Sequence, residues 1–334
     1  MQPPAILIFP IVTFLIVTLG TRLLIHVLKR HAILDRPNDR SSHDTPTPRG
    51  AGIAVMGGLF SVWIATAQYY GESGTSVLYV AGIGFILCGV SWIDDIRNIS
   101  PLFRLIVHFA AVSSVMIVAP FPGPVFGGFL PYWADFAITV VIWVWFMNLF
   151  NFMDGIDGLA GIQALAIGVG IFVLVRKLGF GELIMVLGLT VAAAAGGFLR
   201  WNWHPAKIFL GDVGSIPLGF AIGWLLLLLA ANGAWASALI LPMYFFADAT
   251  LTLMRRVIRG EQLWKAHREH FYQRAVTSGL RHDQVVWTIA IANIFLIMLA
   301  IVAARGLPQA AVLGAVGAVS MLVFLLAKGG PTDS

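Results

Sequence analysis

The chain is poor in charge and in cysteine. Its one cysteine, Cys88, lies inside an apolar run, which excludes a disulfide framework and leaves the redox compartment unread. Charged residues make up only 11% of the 334 residues while hydrophobic residues make up 59%, and apolar stretches of about twenty recur along the chain. A soluble domain could not bury that much apolar surface. The start is apolar from Ala5 onward but lacks a basic n-region and a small-residue cleavage site, so it reads as a retained first span. No long polar linker and no internal repeat divides the sequence. The expectation is an all-α polytopic membrane protein, with residues 1–334 forming a single integral membrane domain.

A helix rises about 1.5 Å per residue and a hydrocarbon core is about 30 Å thick, so a span needs roughly 17 to 25 apolar residues. About eleven transmembrane helices are expected on that basis. They lie at 5–27, 50–69, 77–93, 104–119, 133–150, 158–175, 181–199, 216–231, 233–254, 285–304 and 308–327.

Basic residues orient these spans. The loops after spans 1, 3, 5, 7 and 9, with the C-terminal tail and with Arg104 at the edge of the fourth span, carry seventeen Lys and Arg, whereas the opposite loops carry only Arg176, Lys177 and Arg305. The positive-inside rule then predicts an outside N-terminus and a cytoplasmic C-terminus. The net charge of +5 is explained by basic loops beside anionic lipid and calls for no nucleic-acid partner. The stretches RPNDRSSHDTPTPRGAG (36–52), DDIRN (94–98), NFMDGIDG (151–158), RWNWHPAKIFLGDVGS (200–215) and KAHREHFYQR (265–274) all fall in the expected cytoplasmic loops. That predicts an active site at the cytoplasmic face.

Each stretch has its own chemistry. Asp94 and Asp95 end a span, where adjacent carboxylates are costly unless they meet a cation, a metal or a substrate proton; a solvated loop start is the plainer alternative. Asp154 and Asp157 are three apart and would share a face in a helical turn, with Gly155 and Gly158 letting a ligand approach the backbone. A helix N-cap with glycine punctuation would look the same. Asp212, between glycines ahead of a span, combines free helix-start N–H groups that suit phosphate with a carboxylate that suits Mg²⁺. Asn202, His204 and Lys207 nearby would add donors and charge for a diphosphate. His267 and His270 are spaced for a phosphate or metal clamp on a helix face, or are a solvated pair; with no third zinc-type ligand beside them, phosphate is favoured. Carboxylates at the bilayer edge with cations around them suit an enzyme that handles phosphate groups beside a lipid acceptor.

The motifs DDIRN, NFMDGIDGLAG, NWHPAKIFLGDVGS and HREHFYQR, in that order, resemble the polyprenyl-phosphate N-acetylhexosamine-1-phosphate transferases, and the likeness runs from about Asp35 to Arg274. The resemblance implies transfer of a sugar 1-phosphate from a UDP-N-acetylhexosamine to undecaprenyl phosphate, releasing UMP. It implies Mg²⁺ as cofactor, with Mn²⁺ an alternative, and leaves room for a homodimer. It assigns Asp212 and Asp154 to metal, Asp94 and Asp95 to base catalysis, and Asn151, Asp157, Asn202, Lys207, Phe209 and His270 to the donor. His267 joins the catalytic set as a diphosphate contact. The histidine motif reads HREHF where the pentapeptide transferases of the family resemble HHHF, which disfavours a peptide-carrying donor and points toward transferases that start O-antigen synthesis.

Direct attack on the β-phosphorus and a two-step route through an aspartyl-phosphate both stay open. Two other classes fit less well. A secondary transporter would show paired halves and acids at span centres, and only Asp248 is so placed. A non-catalytic scaffold would leave the aspartate motifs unexplained.

Overall fold

Apolar runs of span length form helices because hydrocarbon leaves every backbone N–H and C=O to be satisfied within the chain. The computed structural model describes residues 5–35, 45–97, 99–262 and 267–329. The first loop from Arg36 to Asp44, Asn98 of the DDIRN stretch and Lys265 of the histidine loop lie outside the described residues.

The helices are α1 (Ala5–Arg30), α2 (Gly52–Tyr70), α3 (Thr75–Arg97), α4 (Pro101–Val118), α5 (Tyr132–Phe152), α6 (Leu159–Leu178) and α7 (Glu182–Asn202). After them come α8 (Asp212–Leu229), α9 (Trp235–Ile240), α10 (Met243–Ile258), α11 (Phe271–Thr277), α12 (His282–Ala303) and α13 (Pro308–Lys328). Among the described residues the only sheet is a two-residue antiparallel pair, β1 (Leu34–Asp35) with β2 (Thr47–Pro48).

Among the described residues, nine helical segments are long and apolar enough to cross a membrane. The longest, Gly52–Arg97, folds back on itself at the short 3₁₀ turn Gly71–Gly74, so its two arms, α2 and α3, raise the count to ten. The span expected at 233–254 is not one helix. Gly233 takes a positive φ of 90° and Pro242 cannot continue the ladder, so the chain breaks into α9 and α10.

The helix at the centre of the bundle is α8. Apolar on all sides, it is buried along almost its whole length and packs against α2, α3, α5 and α6. Trp143 of α5 stacks on Phe220 at 5.0 Å and donates its Nε1–H to the Phe220 carbonyl. The outer surface is different. Leu19 and Leu23 of α1, Ile106 and Ile117 of α4, and Ile291 and Phe295 of α12 are exposed, as a lipid-facing wall requires.

This arrangement sets one end of the bundle. The start of α8 meets the start of α2 so closely that a Cβ on Gly52 would lie 2.2 Å from the Gly214 nitrogen, and the Gly52 N–H bonds the Leu210 carbonyl at 2.9 Å. Arg49 forms a parallel bridge with Phe209 just beyond that contact. Two distant polar loops are thereby zipped together at the mouth of the central helix.

Candidate active site

Four carboxylates and two guanidiniums meet at that end. Arg49 places Nη2 2.7 Å from Asp212 Oδ1 and 2.9 Å from Asp95 Oδ1. Arg104, in the first turn of α4, places Nη1 2.7 Å from Asp94 Oδ2 and 3.3 Å from Asp212 Oδ2. Asp154, in the loop between α5 and α6, faces the same group, since Arg49, Asp212 and Asp95 all act on its charge. Burial among protein atoms pushes the Asp154 carboxyl well above the usual carboxylate range, and the negative Asp212 and Asp95 add to this against the opposing pull of Arg49. Arg49 goes the other way from its burial: although desolvation disfavours its charge, Asp212 and Asp95 hold its pKa above the ordinary value.

The expected N–H groups of α8 are not free for phosphate. The Asp212 and Val213 amides donate to the Asp95 carboxylate at 3.3 and 3.0 Å, so α3 caps α8 with its own side chain. Asp94 is held equally firmly, by Arg104 and by the Ile99 amide, each at 2.7 Å. Asn151 accepts a 2.6 Å bond from the Ser215 hydroxyl, which ties the end of α5 to the first turn of α8. Phe209 is fixed through its backbone, its N–H bonding Pro48 and its carbonyl accepting from Gly50 and Ala51.

Asp157 stands apart from Asp154. Residues 153–158 form a turn and not the helix expected, so the two acids do not share a face. Asp157 Oδ2 lies 2.7 Å from His204 Nδ1, 3.1 Å from the Ala206 amide and 3.3 Å from His282 Nδ1. Burial alone would raise its pKa; the bonds from His282 and His204 outweigh that and hold it below the ordinary value. Asp157, His204 and His282 are of metal-ligating types, but a 2.7 Å contact is that of a direct hydrogen bond. Asn202 is similarly engaged, accepting from the Gly158 amide at 2.8 Å and donating to the Ile208 carbonyl at 2.9 Å. Gly155 owes its identity to packing more than to ligand approach: a Cβ there would lie 2.2 Å from the Tyr272 hydroxyl.

The histidine loop also departs from expectation. His267 and His270 do not lie on one helix face, because α11 begins only at Phe271. The reason is Asp248 of α10. Its carboxylate, fully buried, receives the Phe271 and Tyr272 amides at 3.0 and 3.2 Å, the Tyr244 hydroxyl at 3.0 Å and His270 Nδ1 at 3.0 Å. Asp248 thus caps α11 from another helix, and His270 is part of that cap. His267 stays half-buried, its ring 5.0 Å from that of His270. Burial, then His270 and Arg256, lower its pKa to about 4, so it is a neutral hydrogen-bonding group at about pH 7. Lys207 is exposed and stands over Trp201 at 5.5 Å, outside the acid cluster.

Arg49, Arg104 and His282 are the residues that reading the sequence missed. Arg104 carried a signal: Ser100 and Pro101 mark a helix start, and an arginine in the first turn of an apolar span needs a partner.

Residues 77–230, which contain the aspartates of α3, of the 153–158 turn and of the α8 start, match glycosyl transferase family 4. The chain is similar to this family over that stretch. A Bacillus subtilis (strain 168) relative named probable undecaprenyl-phosphate N-acetylglucosaminyl 1-phosphate transferase is 29% identical over 307 residues, covering 87% of this chain and 84% of its own. A decaprenyl-phosphate N-acetylglucosaminephosphotransferase of Mycobacterium leprae is 28% identical, covering 76% of this chain and 72% of its own. A phospho-N-acetylmuramoyl-pentapeptide-transferase of Trichormus variabilis is 30% identical over 62% of this chain and 60% of its own. With nine helical segments among the described residues long and apolar enough to span a membrane, and with this likeness to glycosyl transferases, the chain is a multi-pass membrane protein of the transferase kind.

Proposed function

We propose that the protein transfers an N-acetylhexosamine 1-phosphate from a UDP-sugar to undecaprenyl phosphate, with Mg²⁺ at the acid cluster. The observation that carries the reading is the charge of that cluster. Among the described residues Asp94, Asp95, Asp154 and Asp212 meet two guanidiniums, Arg49 and Arg104, so that with all four acids ionised two negative charges remain, which one divalent cation neutralises. The donor set, carboxylates alone, fits a hard, oxygen-seeking ion.

Asp212 and Asp154 would hold the metal, which when bound supplies charge neutralisation for a diphosphate. The chain's own groups do the rest. Arg49 and Arg104 bring positive charge to the place where two phosphate-bearing substrates would repel. Asp95, which accepts from the Asp212 amide and, unlike Asp94, acts on the charge of Asp154, serves as proton acceptor for the lipid phosphate. The lipid phosphate oxygen attacks the β-phosphorus, the bond to the bridging oxygen breaks, and UMP leaves. His267, neutral and half-buried, hydrogen-bonds the donor. The product is a lipid-linked sugar that opens synthesis of a cell-envelope glycan, O-antigen among them.

Purified protein given undecaprenyl phosphate and a panel of radiolabelled UDP-N-acetylhexosamines should move label into the lipid phase with at least one donor. No lipid-phase label with any of them would reject the reading.

The site is proposed to face the cytoplasm of a bacterial inner membrane, on the strength of the charge bias between loops. In a Cys88→Ser background, a cysteine at Ser73, exposed in the turn between α2 and α3, should react with an impermeant thiol reagent on intact cells. One at Ser278, exposed at the end of α11, should not. The reverse pattern would place the site outside.

A further inference from the structure

A second, purely basic hollow lies behind the acid cluster. Its volume is about 610 Å³, and it is walled by α1 through Arg22, His26 and Lys29, by the end of α7 through Arg200 and Trp201, and by Lys207. Thr47 and Pro48 form its inner edge. Arg22, His26 and Lys29 follow at intervals of four and three, so they share one face of α1. All five basic side chains are exposed, and among the described residues none forms an ion pair and no carboxylate lines the hollow.

The hollow is built, not accidental. Trp201 donates its Nε1–H to the Thr18 carbonyl at 2.9 Å, fastening α7 to α1. Its ring then serves as a floor beneath two cations, with the Arg200 guanidinium at 5.3 Å and Lys207 Nζ at 5.5 Å from its centre. Gathering uncompensated cations into one cavity is unfavourable unless an anion spends time there.

Two features identify the anion's class. The basic face of α1 runs directly into Leu19 and Leu23, which are 60% and 68% exposed on the same helix and belong to the lipid-facing wall. A ligand with a phosphate in the hollow could therefore lay apolar chains along α1. The hollow is also separated from the reacting groups. Thr47 and Pro48 line the hollow, whereas Arg49 and the cluster aspartates do not, Arg49 reaching Asp95 and Asp212 instead. A phosphate held here does not face the acid cluster, which argues against the transferase's own acceptor as occupant.

We propose that this hollow binds the phosphate of an anionic phospholipid of the surrounding bilayer, as basic pockets between transmembrane helices do. The inference is independent of the transferase reading.

The test is native mass spectrometry of the full-length protein, delipidated in detergent and titrated with phosphatidylglycerol, with phosphatidylcholine as the neutral comparison. The parent should prefer phosphatidylglycerol. Arg22→Gln/Lys29→Gln should weaken phosphatidylglycerol binding about thirtyfold, the effect expected when two cations no longer face an anionic headgroup. Arg200→Gln/Lys207→Gln, on the opposite wall, should produce a similar loss, so the result does not hang on one variant's folding. Arg176→Gln/Lys177→Gln, which removes two charges at the far end of α6, should bind as the parent does. Equal affinity in parent and groove variants, or an equal loss in the α6 variant, would overturn the proposal. Displacement of the lipid by inorganic phosphate would assign the hollow to a free anion, and preferential binding of undecaprenyl phosphate would assign it to the acceptor; either overturns it.

Discussion

Asp212→Asn is expected to lower turnover by at least about a hundredfold while the protein still folds. The loss follows from removing one of the two carboxylates that would hold the metal, whose charge neutralisation is worth several kcal/mol of barrier. Survival of the fold follows from the ion pairs. Arg49 keeps Asp95 at 2.9 Å and Arg104 keeps Asp94 at 2.7 Å, so neither guanidinium is left without a partner. The asparagine also retains the backbone amide that bonds Asp95. Turnover close to that of the parent at saturating Mg²⁺ would show that the metal is held elsewhere.

Asp248→Ala should act through stability instead of chemistry. The change removes the acceptor shared by the Phe271 and Tyr272 amides, the Tyr244 hydroxyl and His270 Nδ1, all in a buried setting. An unsatisfied buried donor costs about 1–3 kcal/mol and water can relieve some of these groups, so a net loss of about 3–5 kcal/mol is expected. Unfolding of α11 would also free Tyr272 from the Phe152 carbonyl, to which it bonds at 3.0 Å beside the Asp154 turn, and activity should fall with stability. Thermal unfolding in detergent, followed by tryptophan fluorescence, measures the effect. A melting temperature essentially equal to the parent's would mean that Asp248 is not the cap it resembles.

The membrane architecture was legible in the sequence because it depends on one property summed over about twenty residues. Ten of the eleven expected spans coincide with helices of about the expected extent. The exception, 233–254, contained its own warning in Gly233 and Pro242, which composition averages away. Individual aspartates were legible for a similar reason, since a carboxylate at the end of an apolar run demands an explanation. Asp94, Asp95, Asp154 and Asp212 do converge on one place.

What could not be read was which partner each group meets. The α8 amides invited phosphate, yet Asp95, far earlier in the chain, occupies them. The spacing of His267 and His270 suggested a helix face, but Asp248 delays the helix start to Phe271. Lys207, close to Asp212 in sequence, lines the basic hollow instead of the acid cluster. Each of these depends on contacts between distant segments, which local spacing does not encode.

The most direct test of the proposed chemistry follows the phosphorus. With a UDP-N-acetylhexosamine that the protein accepts, labelled with ³²P at the β-phosphate and supplied with undecaprenyl phosphate, sugar 1-phosphate transfer predicts label in the lipid product together with release of unlabelled UMP. Release of labelled UDP, with the sugar but no label on the lipid, would mean ordinary glycosyl transfer and would contradict the account.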